Sequence, residues 1–219
     1  MKEQFDVMLI LSGGHAPLAM PYMYSLIKGN NDWADICFHV ITDNPNIVYR
    51  NLLKKFCDNY GAAVKFYDYD TEKFAGLKTE QLYPAILYAK LIPQLILPEN
   101  IKKVLYNDTD MIVTCSLKEL WHTDMGDNYL GGCYGYNQFE KLLKSELPIS
   151  DLSVNYINSG TVLYNLDLMR KDRLTLDTYK KWLETHYQTF YEEVELRELL
   201  CSGAIRGYQV RGKRIFDPN

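Results

Sequence analysis

Two aspartates two residues apart, Asp108 and Asp110, follow directly on the apolar run Val104-Leu105-Tyr106. Carboxylate oxygens are hard ligands, and one or two of them hold Mg2+ or Mn2+ while leaving coordination positions open for phosphate oxygens. In extended backbone, residues i and i+2 point to the same side, so the spacing predicts that both carboxylates converge on one cation. An Asp-x-Asp pair also caps turns. What lifts this one above that reading is its place at the carboxyl end of a predicted strand, where open α/β sheets bind their ligands.

Positioning such a pair requires a sheet, and the pattern supplies one. Short apolar runs alternate with stretches of helical period, as in an α/β domain with a largely parallel sheet. Strands are predicted at Phe5 to Leu11, Ile36 to Ile41, Ala63 to Tyr67, Lys103 to Tyr106, Tyr129 to Tyr134 and Thr161 to Tyr164, with a last one near Ile205 to Val210. Helices are predicted at Ala16 to Ile27, Ile47 to Tyr60, Gln81 to Leu95, Leu117 to Trp121, Thr175 to Phe190 and Glu193 to Cys201. Thr42-Asp43-Asn44-Pro45 reads as a stop signal between two of them. With 219 residues, 47% of them hydrophobic, one substantial core can form, and residues 1–219 read as a single domain.

Charge narrows the classes of partner. Lys and Arg total 24 against 28 Asp and Glu, and the basic residues are scattered rather than striped, which argues against a nucleic-acid partner. The apolar run Val7 to Leu11 is shorter than the core of a signal peptide and far shorter than a bilayer span. No transmembrane segment and a cytoplasmic location are expected. Cys37, Cys57, Cys115, Cys133 and Cys201 form no Cys-x-x-Cys pair and read as reduced, mostly buried small hydrophobes.

Two longer stretches carry a resemblance. One runs from Lys90-Leu91-Ile92-Pro93 through Val104-Leu105-Tyr106-Asn107-Asp108-Thr109-Asp110-Met111-Ile112-Val113 to Leu117-Lys118-Glu119-Leu120-Trp121 and Asp127-Asn128-Tyr129. The other is Tyr156-Ile157-Asn158-Ser159-Gly160-Thr161-Val162-Leu163-Tyr164-Asn165-Leu166. In this order and spacing they resemble glycosyltransferase family 8, whose members read roughly RLLIPELLP, KVLYLDADTLV, LSELWNTDLGDNY and YFNSGVLLINL. The resemblance implies a GT-A fold, a Rossmann-like, mixed and mainly parallel sheet flanked by helices. It further implies a retaining hexosyltransferase that moves glucose or galactose from a UDP-sugar donor to a saccharide or lipid-linked acceptor, with Mn2+ or Mg2+, in surface polysaccharide biosynthesis. Peripheral membrane contact is compatible with that setting.

By the same resemblance, Asp108 and Asp110 match the metal-binding pair, and Asp108 and Thr109 lie near the donor's ribose. Asn158, Ser159 and Gly160 match the segment lining the donor-sugar pocket, although Asn-Ser-Gly alone would read as a turn. Lys90 stands where members carry a donor-binding arginine; it keeps the charge and loses the bidentate fork.

Three departures stand out. Ser12-Gly13-Gly14-His15 occupies the place of an acidic uracil-holding loop. There His15 can stack on a base, and the glycines Gly13 and Gly14 permit close backbone approach, but the carboxylate that reads uracil is absent. Second, the members' Asp-Gln-Asp is Glu193-Val194-Glu195; Glu193 and Glu195 are the candidate catalytic carboxylates on the acceptor side, and they also fit a solvated helix face. Third, the sequence ends at Asn219 without the histidine and lysine that complete the metal shell and grip the diphosphate in members. His122 and His186 read as surface or structural residues. These departures motivate an alternative, a GT-A-like sugar-nucleotide-binding module with weak or no turnover. A haloacid-dehalogenase-type phosphatase also sets Asp-x-Asp after an apolar strand, but near the start of its chain, whereas three strand-like runs precede Asp108 here.

Overall fold

The computed structural model describes residues 2–12, 16–44, 46–75, 84–134 and 157–179. Its strands are β1 (Glu3–Leu11), β2 (Ala34–Thr42), β3 (Ala63–Asp68), β4 (Lys103–Asn107), β5 (Leu130–Tyr134) and β6 (Ile157–Asn165). They form one sheet in the order β3-β2-β1-β4-β6-β5. β1 pairs in parallel with β2 and β4, and β2 with β3, while β6 runs antiparallel to β4 and β5. The sheet is therefore mixed and mainly parallel, as expected.

The central strands are apolar on both faces because both faces are covered. Phe5, Val7, Leu9 and Leu11 of β1, with Leu105 and Leu163, pack under α1 (Ala16–Asn30) and α2 (Ile47–Tyr60). Met8 and Ile10, with Val104, Tyr106, Val162 and Tyr164, pack on the other face, under a 3-10 helix (Ala85–Leu91) and beside α3 (Pro93–Ile96). α4 (Lys118–Trp121) closes the first cluster and α5 (Leu166–Lys171) the second.

Local chemistry sets the boundaries. The Asn46 side chain accepts the Val48 N–H at the start of α2. At its end Gly61, with φ 71°, adopts the left-handed conformation in which its N–H reaches the Cys57 carbonyl. The continuous helix expected over Gln81 to Leu95 is, across its described part, a 3-10 helix and then one α-turn. Pro93 is the reason: it lacks an N–H and pushes Ile92 out of the α region, to φ −132° and ψ 35°. The helix predicted from Thr175 reaches only its first turn among the described residues. The elements expected at Glu193 to Cys201 and Ile205 to Val210 lie outside them.

Asn30 fastens the end of α1 to the segment before α4. Fully buried, it donates to Leu26 O at 2.8 Å and accepts from Trp33 Nε1 at 3.1 Å and Leu117 N at 2.6 Å. Stranding such donors costs about 1–3 kcal/mol each. Asn30→Ala is expected to lower stability by about 2–4 kcal/mol, read as a lower urea midpoint at unchanged slope.

Of the described cysteines, Cys37 and Cys57 are buried as expected, while Cys115 is exposed. Burial pushes the Cys57 thiol up to about 12 and the Cys37 thiol up to about 11, against about 8.5 in an unfolded chain. A raised acid favours the fold fully below the unfolded value, and that contribution is lost as pH climbs through the folded one. Stability is expected to fall between pH 9 and pH 12, and less steeply in Cys57→Ala, as followed by urea midpoints across that range.

Candidate active site

From β1 the chain runs outward to β2 and β3; from β4 the order continues through β6 and β5 in the opposite direction. The reversal falls between β1 and β4, and doubly wound sheets bind ligands in the crevice at the carboxyl ends of such strands. β1 ends at Leu11 and leads into Ser12; β4 ends at Asn107 and leads into Asp108. The amino end of β6, running antiparallel, brings Asn158, Ser159 and Gly160 to the same place.

Alternation along β4 decides where Asp108 faces. Val104, Tyr106 and Asp108 share the side covered by the 3-10 helix, and Lys90 of that helix meets Asp108 there. Lys90 Nζ lies 3.1 Å from Asp108 Oδ1 and 4.3 Å from the centre of the Tyr106 ring. The lysine is 4% exposed, and the carboxylate with the ring face offsets the cost of burying its charge. The Tyr106 hydroxyl donates a short hydrogen bond to the same Oδ1. Oδ2 points toward β6, where Asp108 N donates to Gly160 O at 2.9 Å.

Gly160 is required there by close approach. A Cβ on it would lie 2.8 Å from Asp108 Oδ2 and 3.0 Å from Asn158 Oδ1. Asn158 is exposed, and its Oδ1 accepts the Gly160 N–H at 2.7 Å. The amide nitrogen, with two donors, is therefore the end offered to solvent. The segment is the start of a strand rather than the turn its composition suggests.

Asp110 is exposed, past a bend at Thr109 and Asp110. Extended alternation does not carry beyond Asp108, so the bend, not the pleat, sets the direction of the second carboxylate. This corrects the physical reason for expecting the pair to converge; the Asp108 side chain is 40% exposed and Asp110 is exposed. Gly13 and His15 lie outside the described residues, as do Glu193 and Glu195.

Beneath the pair sits a network that the residue spacing did not reveal. Asn107 is buried; the Tyr22 hydroxyl of α1 donates to its Oδ1 at 3.0 Å, and its Nδ2 donates to Thr161 Oγ1 at 2.8 Å. It thus ties α1, β4 and β6 together one residue before Asp108. Tyr106 was findable, since it shares strand parity with Asp108; Tyr22, far away in sequence, was not.

The family model for glycosyl transferase family 8 matches residues 6–202. The chain belongs to that family. A lipopolysaccharide 1,2-glucosyltransferase of Escherichia coli is 27% identical to this family 8 chain over 174 residues, covering 80% of it and 51% of that protein. General stress protein A of Bacillus subtilis is 24% identical over 152 residues, covering 69% of the chain and 52% of that protein. The chain thus spans about half the length of these curated relatives. A crystal structure of the galactosyltransferase LgtC, in complex with donor and acceptor sugar analogues, superposes with a TM-score of 0.78 at 25% identity, covering 94% of this chain and 72% of that one. The family 8 chain has the GT-A fold, and its membership sets the phosphatase reading aside. No helix among its described residues is long and apolar enough to cross a membrane.

Proposed function

We propose that the chain binds a UDP-hexose at the carboxyl ends of β1 and β4 and transfers glucose or galactose, with retention, to a saccharide or lipid-linked acceptor. The observation that carries this reading is the contact between Asp108 and Gly160, which sets the proposed diphosphate end of the donor beside the segment proposed to hold its sugar. Retention and the hexose are carried over from the family. A cytoplasmic location, where sugar nucleotides are made, belongs to the same proposal.

The residues present fit a divalent cation. Asp108 Oδ1 is engaged by Lys90 and Tyr106, Oδ2 faces the cradle left by the missing Cβ of Gly160, and Asp110 is exposed. Such an all-oxygen set suits Mn2+ or Mg2+. A bound ion would supply charge stabilisation to the departing diphosphate. Lys90 adds a fixed positive charge at the same carboxylate, and Tyr106 keeps that carboxylate from rotating. Asn158 presents its amide donors to a sugar hydroxyl, holding the ring for attack. Thr109 and Ser12 would line the nucleoside side, with Gly13 and His15 against the base and Glu193 and Glu195 on the acceptor side.

Thermal unfolding with Mn2+ and a panel of nucleoside diphosphates, paired with donor hydrolysis and transfer assays, tests this. A metal-dependent shift with uridine diphosphate and turnover of a UDP-hexose is the expected result. No shift with any nucleotide overturns the proposal. A shift without turnover supports the alternative, a sugar-nucleotide-binding module.

A further inference from the structure

The face of the sheet that carries Asp108 holds a second polar group nearer the amino ends of the strands. Asp6 of β1 and Cys37 of β2 are register partners, and His39 lies two residues further along β2, so the three side chains leave the sheet on one side. Ligand atoms of all three lie within 4.8 Å of one another. His39 Nε2 is 2.8 Å from Asp6 Oδ1, and Nδ1 is 2.9 Å from the hydroxyl of Tyr67 on β3, whose ring stacks on the imidazole. His39 is 1% exposed and Cys37 is buried. A pocket of about 460 Å³, lined in part by Asp35, Lys65 and Asn100, opens over the group.

This place is separate from the crevice. Met8 is the partner of Tyr106, so Asp6 lies four residues back from the level of Asp108, about 13 Å along the strands. Met8 and Ile10 of the core fill the space between.

Hydrogen bonding alone accounts for part of the group. Tyr67 O–H can donate to Nδ1 and Nε2–H to Asp6, which satisfies the imidazole. That relay leaves the Cys37 thiol unused, and it does not explain why a sulfur, a carboxylate and an imidazole nitrogen meet beneath a pocket. We propose that Asp6, Cys37 and His39 form a second cation site, for a divalent ion of the Zn2+ class, with a fourth position open toward the pocket. Three protein ligands and one open position is the usual arrangement where Zn2+ keeps a water. A nitrogen and sulfur donor set prefers Zn2+ or Co2+, whereas the all-oxygen crevice prefers Mn2+ or Mg2+.

Binding moves protons in a defined way. The imidazole proton shifts from Nε2 to Nδ1, where Tyr67 accepts it and so orients the ring. The Cys37 thiol loses its proton to solvent as the sulfur–metal bond forms. One proton is released per ion.

Titration of the whole chain with Co2+ in the presence of excess Mn2+ tests the proposal. One equivalent should bind with a thiolate-to-cobalt charge-transfer band and release of one proton. The band should vanish in Cys37→Ser, the affinity should fall about 10–100-fold in Tyr67→Phe, and Asp110→Ala should change neither. Absence of the band, or a band that survives Cys37→Ser, overturns the site. Should Cys37→Ser fail to fold, Zn2+ protection of Cys37 from alkylation in the wild-type chain, mapped by mass spectrometry, decides: protection supports the site, and unchanged labelling overturns it. Because the probe is cobalt with no nucleotide, failure here leaves the proposed donor site standing, and failure of that site leaves this one.

Discussion

Asp110→Ala is expected to abolish the stabilisation of the chain by Mn2+ and uridine diphosphate while leaving the unliganded fold intact. At about 100 times its dissociation constant, the ligand pair adds about 2.7 kcal/mol to the wild type. For a domain of this size that raises Tm by about 5–10 °C. Asp110 is exposed, and truncating such a residue changes stability by no more than about 0.5 kcal/mol, so the two readouts separate. Transfer should fall about 100-fold or more, since losing even an outer partner of a metal ligand costs 10–100-fold. Differential scanning fluorimetry with and without ligand checks the first effect and a coupled assay for released diphosphate the second. Asp108→Ala is a poorer probe because it also leaves the buried Lys90 ammonium without its carboxylate. A variant Asp110→Ala that keeps the full metal-dependent shift would remove Asp110 from the site.

Gly160→Ala is expected to be nearly as damaging although it adds only a methyl group. The new carbon would sit 2.8 Å from Asp108 Oδ2 and 3.0 Å from Asn158 Oδ1. The exposed Asn158 amide can turn aside, but Asp108 cannot yield cheaply. The Asp108 carboxylate is held from its other side by Lys90 and Tyr106, and the backbones are fastened by the bond from Asp108 N to Gly160 O. Relief must come from turning Asp108 away from the crevice or parting β4 from β6. Overpacking of this kind costs about 1–3 kcal/mol, and the metal-dependent shift should disappear with it. Urea midpoints and the same fluorimetry measure both. A full-sized shift in Gly160→Ala would mean that Asp108 does not hold the ion.

The resemblance was legible because its two stretches are the segments the sheet brings together: β4 with the bend after it, and the start of β6. Lys90 was legible by the same route, but its aim was not. Its register gives a charge, and only packing shows that charge buried against Asp108. The direction of Asp110 was misattributed to strand alternation, because hydrophobic pattern marks where a strand runs but not the residue at which the chain bends.

Composition and periodicity determined the α/β class, the strands from β1 to β6 to within a few residues, and the apolar faces on which the helices pack. Those follow from local rules, since side-chain alternation and helical period are written in neighbouring residues. Tertiary structure decided what depends on contacts between distant segments. Tyr22 reaches Asn107 across 85 positions, Gly160 is small because Asp108 is beside it, and Cys37, read from the sequence as a reduced, buried small hydrophobe, meets Asp6 and His39 because β1 and β2 pair in register. Sequence spacing cannot show such meetings, because strand pairing sets them.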